Sequence, residues 1–192
     1  MMILLTGGAA CGKSYVAEQL VARFSGQRYF IATMRPFGVD GQEKVAKHRK
    51  MRQGKNFQTI ECYGNLAALT LPQKNSVVLL ECITNLVADE LYDCNGMLQP
   101  IEQVQSRVLQ GVQTLSEQCE NVIIITNDVG SDGMLYEQET KDYVHLLGAI
   151  NCILAAQCHV VIDMSCGIPF MVKGSLKGIN NKEAKQGEVL VL

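Results

Sequence analysis

The chain has 192 residues, 47% of them apolar, and a formal net charge of −2. That length and apolar content suit one domain with a full core, and the near-neutral balance gives no ground to expect a nucleic-acid or membrane surface. No apolar run approaches the ~18 residues that a membrane span needs, and the apolar start Met1-Met2-Ile3-Leu4-Leu5 is too short for the core of a signal peptide. The eight cysteines form no C-x-x-C pair. Cys82, Cys152, Cys158 and Cys166 lie in apolar segments and read as buried reduced thiols, not as ligands or disulfides, which places the chain in the cytoplasm.

In chain order, Ile3-Leu4-Leu5 reads as a buried strand that runs straight into Thr6-Gly7-Gly8-Ala9-Ala10-Cys11-Gly12-Lys13-Ser14. Gly7 and Gly12 frame the spacing G-x-x-x-x-G-K-S, the P-loop pattern, and each residue type in it has a task. The glycines let the backbone turn its N–H groups toward a polyphosphate. Lys13 brings a compact cation to the β- and γ-phosphates, and the Ser14 hydroxyl can ligate Mg²⁺. Val16, Ala17, Leu20, Val21 and Phe24 follow at helical spacing, so the loop feeds a helix N-terminus, where anions are favoured. The stretch is read as a nucleotide-phosphate site.

Tyr29-Phe30-Ile31-Ala32 reads as a second strand, and residues 34–41, with Pro36, Gly38 and Gly41, as loop. Residues 42–51 suit a helix with a basic face. Lys44, His48 and Arg52 are four apart on it, and Lys47, Arg49 and Lys50 widen the stripe. A charge run is most often a solvated face, but here cations flank His48 one turn either way. They disfavour an imidazolium, so the ring keeps a free lone pair and can serve as a general base or as a nucleophile toward phosphorus. His145 and His159 lack that setting and read as helix-surface and strand-start residues.

Phe57-Gln58-Thr59-Ile60-Glu61 alternates like a strand, and residues 65–71 read as a short helix. Val77-Val78-Leu79-Leu80-Glu81 is the next buried strand; its terminal Glu81 stands where a P-loop protein carries the acid that helps to hold Mg²⁺. Residues 84–91 and 100–119 read as helices, and Val122-Ile123-Ile124-Ile125-Thr126 as a central strand. Asp128, which leaves that strand, suits a third acid at the same edge and equally a turn. A helix over about 138–157, a strand over 160–163 and an edge strand over 167–173 follow. Strands alternating with helices predict an α/β, P-loop NTPase-like fold: a mostly parallel sheet with helices on both faces, a three-layer αβα arrangement. Nucleotide is expected at the carboxyl ends of the strands. The expected organisation is one nucleotide-binding domain over residues 1–173 and a C-terminal extension over 174–192.

Several of these segments recur together in a known family. Leu5-Thr6-Gly7-Gly8 with Gly12-Lys13-Ser14, Tyr29 to Thr33, Lys47-His48-Arg49 with Arg52, Thr59-Ile60-Glu61, Leu79-Leu80-Glu81-Cys82-Ile83-Thr84, Thr126-Asn127-Asp128-Val129-Gly130 and Gly167-Ile168-Pro169 occur in that order. In this the chain resembles the bifunctional adenosylcobinamide kinase/adenosylcobinamide-phosphate guanylyltransferases of cobalamin biosynthesis. The resemblance implies transfer of a γ-phosphate from ATP or GTP to adenosylcobinamide, then transfer of GMP from GTP through a guanylyl-histidine at His48. It places nucleotide contacts on Gly7, Gly8, Ala9, Ala10, Cys11, Gly12, Lys13, Ser14, Lys44, Arg49, Arg52, Glu61 and Glu81, and Mg²⁺ on Ser14 and Glu81. A homotrimer with active sites near subunit boundaries is also implied. The chain departs from the family pattern at Ala10-Cys11, where the family usually carries Arg-Ser, and at Lys141-Asp142-Tyr143-Val144-His145, where it usually carries an Arg-x-Phe-Arg-Asp helix. A single-activity P-loop kinase and a non-catalytic nucleotide-binding paralogue are the alternatives. The Lys44/His48/Arg52 stripe argues against the first, and the intact Lys13-Ser14-Glu81 set against the second.

Overall fold

A computed structural model of the chain describes residues 1–36, 38, 46, 54–93, 95–130 and 133–176. Seven strands make one sheet: β1 (Met2–Gly7), β2 (Gln27–Ala32), β3 (Phe57–Glu61), β4 (Ser76–Glu81), β5 (Asn121–Ile125), β6 (Val160–Ser165) and β7 (Ile168–Lys173). Their order is β3-β2-β4-β5-β1-β6-β7, and every pairing is parallel except that of β7 with β6. The helices whose bounds lie among the described residues are α1 (Lys13–Val21), α2 (Ile83–Leu91), α3 (Ile101–Gln118) and α4 (Gln138–Gln157). None of the described helices is long and apolar enough to cross a membrane.

The apolar strand runs are continuous because helices cover both faces of the sheet, so side chains pointing either way are buried. Leu4, Ile31, Leu80 and Ile124 point to one face and pack with Leu86, Val108, Leu115, Ile150 and Leu154 of α2, α3 and α4. Ile3, Leu5, Leu79 and Ile123 point to the other face and pack with Val16, Ala17, Leu20 and Val21 of α1. The expected three-layer α/β arrangement is therefore present. Beyond β7, Leu176 is 1% exposed and belongs to the α1-side core.

Two expectations need correction. The helix expected over 65–71 is only a 3-10 turn, Leu66–Ala68. Gln118 donates to the Leu69 carbonyl and accepts from the Leu71 N–H, both at 2.8 Å, so those backbone groups bond to a side chain instead of to a helix. The turn also lies hard against α3, where a Cβ added at Gly111 would fall 2.7 Å from that of Leu66. The second correction concerns the thiols. Cys82 and Cys158 are buried as expected, but Cys152 and Cys166 are exposed. Cys152 lies on the outward side of α4. Cys166 and Gly167 have φ of 50° and 82° and make the two-residue turn between β6 and β7, which turns the thiol away from the core.

Candidate nucleotide-phosphate site

A parallel sheet brings the carboxyl ends of its strands to one edge, and the register aligns particular residues there. Glu61, Ala32, Glu81, Ile125 and Leu5 form one row across five adjacent strands. The P-loop leaves that row two residues beyond Leu5. Gly7 has φ of 129°, and a Cβ on it would sit 2.5 Å from the Met164 carbonyl of β6. Only glycine allows the backbone to pass so close to the neighbouring strand in that conformation. Ala10 takes a positive φ of 57° and Gly12 one of 96°. The Gly12 carbonyl then accepts the Val16 N–H at 3.2 Å, which opens α1.

Lys13 is only 6% exposed. Its ammonium donates to the carbonyls of Gly7 at 2.8 Å and Gly8 at 2.6 Å and lies 3.7 Å from Cys11 Sγ. The cation is thus folded over its own loop and held by that loop's carbonyls. Gly8, Ala9 and Ala10 are the exposed rim. Ser14 Oγ donates to Glu81 Oε1 at 2.5 Å, across 67 residues of sequence. Lys13, Ser14 and Glu81, which the spacing singled out, are brought together. A hydroxyl and a carboxylate oxygen side by side at the mouth of the loop are hard donors of the kind Mg²⁺ takes.

Glu61 lies on the same face and row as Glu81 but two strands away, roughly 10 Å at the usual strand spacing. Its Oε2 accepts from the Tyr63 hydroxyl at 2.8 Å. The Arg35 guanidinium lies 5.1 Å from the centre of the Tyr63 ring and bonds Asp89 at 2.9 Å. Burial holds the Asp89 carboxyl above its ordinary range, with Arg35 offsetting part of the rise. The Asp128 side chain is exposed, while its backbone N–H donates to the Gly7 carbonyl at 3.2 Å. Lys44, His48, Arg49 and Arg52, with the basic helix expected around them, lie outside the described residues.

Sequence reasoning missed Thr33. It is fully buried just past the end of β2, and its hydroxyl accepts the Cys82 N–H at 2.6 Å and donates to the Cys82 carbonyl at 2.8 Å. The residue following Glu81 is clamped by it. The signal was there: a threonine directly after a buried apolar strand has to satisfy its hydroxyl locally. Burial raises the Cys82 thiol, against the N–H of Asn85 acting the other way.

A family model described as cobinamide kinase / cobinamide phosphate guanyltransferase matches residues 3–172. The chain belongs to this family. The bifunctional adenosylcobalamin biosynthesis protein CobU of Escherichia coli (strain K12) is 31% identical over 90% of this chain and 100% of its own length. The protein of the same name from Salmonella typhimurium is 28% identical over the same shares. The bifunctional adenosylcobalamin biosynthesis protein CobP of Pseudomonas aeruginosa is 27% identical over 91% of this chain and 98% of its own. Among solved structures, a protein of Pyrococcus horikoshii OT3 superposes with a TM-score of 0.54 over 98% of this chain and 91% of that one, at 8% identity. That last likeness is one of fold alone. Family membership agrees with the reading of the chain as a nucleotide-dependent transferase, and the resemblance drawn from the motifs is the family that matches.

Proposed function

We propose that the chain moves the γ-phosphate of ATP or GTP to the aminopropanol hydroxyl of adenosylcobinamide, and then transfers GMP from GTP to the product through a guanylyl-His48. The observation that carries the first reaction is the meeting of Ser14 with Glu81 beside Lys13 at the start of α1. Lys13, held by the Gly7 and Gly8 carbonyls, keeps its charge fixed where the transferring phosphoryl group develops negative charge. The N–H groups of Gly8, Ala9, Ala10, Cys11 and Gly12 and the N-terminus of α1 hold the remaining phosphate oxygens. Mg²⁺ bound between Ser14 and Glu81 would neutralise charge on the β- and γ-oxygens. The substrate hydroxyl oxygen bonds the γ-phosphorus, the nucleoside diphosphate leaves with the pair of the broken P–O bond and the hydroxyl proton passes to solvent, so the protein's part is alignment and charge.

The second reaction is supported by family membership and by the Lys44/His48/Arg52 stripe. A neutral His48 nitrogen attacks the α-phosphorus of GTP, a P–N bond forms, and pyrophosphate leaves with the bonding pair of the broken P–O bond. A phosphate oxygen of adenosylcobinamide phosphate then displaces the histidine and gives adenosylcobinamide-GDP. Lys44, Arg49 and Arg52 would offset the phosphate charges, and Glu61 completes the nucleotide contacts. We place the enzyme in the cytoplasm as a homotrimer, with no nucleic-acid partner.

The test uses GTP labelled at the α- or γ-phosphate. Alpha label should appear on the protein in an acid-labile, alkali-stable bond, and γ label on adenosylcobinamide. His48→Ala should lose the first and keep the second. A parent chain that transfers γ label yet never takes up α label would leave only the kinase.

A further inference from the structure

Behind the phosphate site, five polar side chains are hydrogen-bonded into one network. Thr84, in the first turn of α2, accepts at Oγ1 from the Asn127 backbone N–H at 3.1 Å and from the Asn127 amide at 2.9 Å. The Asn127 carbonyl accepts from Asn151 Nδ2 of α4 at 3.2 Å, and Asn151 Oδ1 accepts from Thr126 Oγ1 at 2.7 Å. Tyr143, also on α4, donates its hydroxyl to the Thr84 carbonyl at 3.2 Å. Burial pushes the Tyr143 phenol up to about 12, with the nearby Cys82 thiol adding to the rise, so this donor keeps its proton throughout the neutral range.

The place of the network in the sheet gives it meaning. β5 lies between β1, which carries the P-loop, and β4, which carries Glu81. The segment leaving β5 touches both neighbours: Asp128 through its N–H to the Gly7 carbonyl, and Asn127 to Thr84 just past Glu81. On the other side, Thr33 fixes Cys82. The chain after Glu81 is therefore pinned from β2 at Cys82 and from β5 at Thr84, and the same β5 exit pins the first residue of the loop that carries Ser14. Thr126 is buried and the other four are half-buried, and polar groups linked in this way tend to hold one geometry, because a shift leaves a donor or acceptor unpaired.

We propose that Asn127 and Thr84 are positioning residues for the phosphoryl-transfer site: they hold the junction between β4 and α2 so that the Glu81 carboxylate meets Ser14, and so set the binding of Mg²⁺-nucleotide without touching it. The inference rests on the kinase reading above. Its closing experiment compares the full chain with Asn127→Ala, Thr84→Val and Thr84→Ser. The measurements are kcat and KM for adenosylcobinamide, calorimetric binding of a non-hydrolysable GTP analogue with and without Mg²⁺, and thermal unfolding. Asn127→Ala and Thr84→Val should lower kcat by roughly 10- to 100-fold, the scale of a catalytic group misplaced by about 1 Å, with KM near that of the parent. Both should also lose most of the affinity for the analogue that Mg²⁺ adds. Thr84→Ser keeps the hydroxyl and should stay within about threefold of the parent.

The proposal is overturned if Mg²⁺ strengthens analogue binding in both variants as much as in the parent, or if it has no effect in the parent. It is also overturned if kcat, binding and melting temperature fall together and Thr84→Ser restores none of them, the pattern of a merely structural role. A parent that binds the analogue with Mg²⁺ but does not phosphorylate adenosylcobinamide refutes the substrate reading instead, and calorimetry still decides the role of the pair.

Discussion

Replacing Gly7 with alanine tests whether the entry to the P-loop is fixed by its passage over β6. At φ of 129° the backbone lies where a side chain is strained, and the new Cβ would fall 2.5 Å from the Met164 carbonyl and 3.1 Å from Met164 Cβ. Met164 sits in β6, which is paired to β1 through residues 3–7, so its carbonyl has little freedom to move aside. A strained backbone position costs on the order of 1–3 kcal/mol, and forcing an extra carbon into a packed site typically adds about 1–3 kcal/mol. Taking ~3 kcal/mol as a working sum, a chain of this size should melt roughly 6–12 °C lower. If the loop yields instead, the loss appears as weaker nucleotide binding. Gly8 is the internal control: its φ is not positive and no atom lies within 4 Å of its Cβ position, so Gly8→Ala should leave stability nearly unchanged. Circular-dichroism melts and calorimetric nucleotide titrations on both variants decide it. A Gly7→Ala protein that melts within about 2 °C of the parent and binds nucleotide equally well would refute the reasoning.

Other outcomes follow from the same geometry. Lys13→Ala should reduce γ-phosphate transfer by about 10²–10³, since one preorganised charge at the transferring phosphates is lost; turnover within a few-fold of the parent would remove Lys13 from the chemistry. EDTA should abolish transfer and added Mg²⁺ restore it, and Glu81→Gln should raise the Mg²⁺ concentration needed, a shift read directly from a metal titration. Burial pushes the Cys119 and Cys158 thiols from 9.0 up to about 11. Between those values the unfolded chain holds fewer protons than the folded one, so stability should fall as pH rises through that window. A urea midpoint that rose between about pH 9 and pH 11 would contradict this. At mildly alkaline pH, the exposed Cys152 and Cys166 should react with a maleimide before either buried thiol.

The parts of the molecule legible in the sequence are those in which one local pattern decides the structure. The strand runs ending at Gly7, Glu81 and Ile125 are apolar in nearly every position, and only a doubly covered parallel sheet makes use of such runs. The P-loop spacing is local as well, so Lys13 and Ser14 could be placed before any contact was known. Glu81 was found from its position at a strand end, although its partner Ser14 is far away in sequence. What stayed hidden depends on residues distant in the chain that meet in space. The 3-10 turn at Leu66–Ala68 follows from Gln118 and Gly111 on α3, neither of which marks residues 65–71 from within. Thr33 gained its role only when the register set it beside Cys82. The exposure of Cys152 and Cys166 was misjudged because apolar surroundings in sequence do not say which side of a helix or turn a thiol faces.

By the resemblance drawn from the motifs, Ala10 and Cys11 replace Arg-Ser, yet the residues that shape the loop in this structure lie beside them. Gly7 passes under β6, Gly12 turns into α1, and Lys13 bonds closely to the Gly7 and Gly8 carbonyls, with a longer contact to the Cys11 sulfur. Ala10 sits on the exposed rim, so the replacement removes a cation from the approach to the site and leaves the hydrogen-bonded frame alone. Cys11 does face inward, with its sulfur 3.7 Å from the Lys13 ammonium. Sulfur is a weaker acceptor than a serine hydroxyl, so the lysine is drawn less to that side and relies on Gly7 and Gly8. Both substitutions therefore alter the charge and polarity of the loop, while the bonds from Lys13 to the loop carbonyls and from Ser14 to Glu81 are made without them.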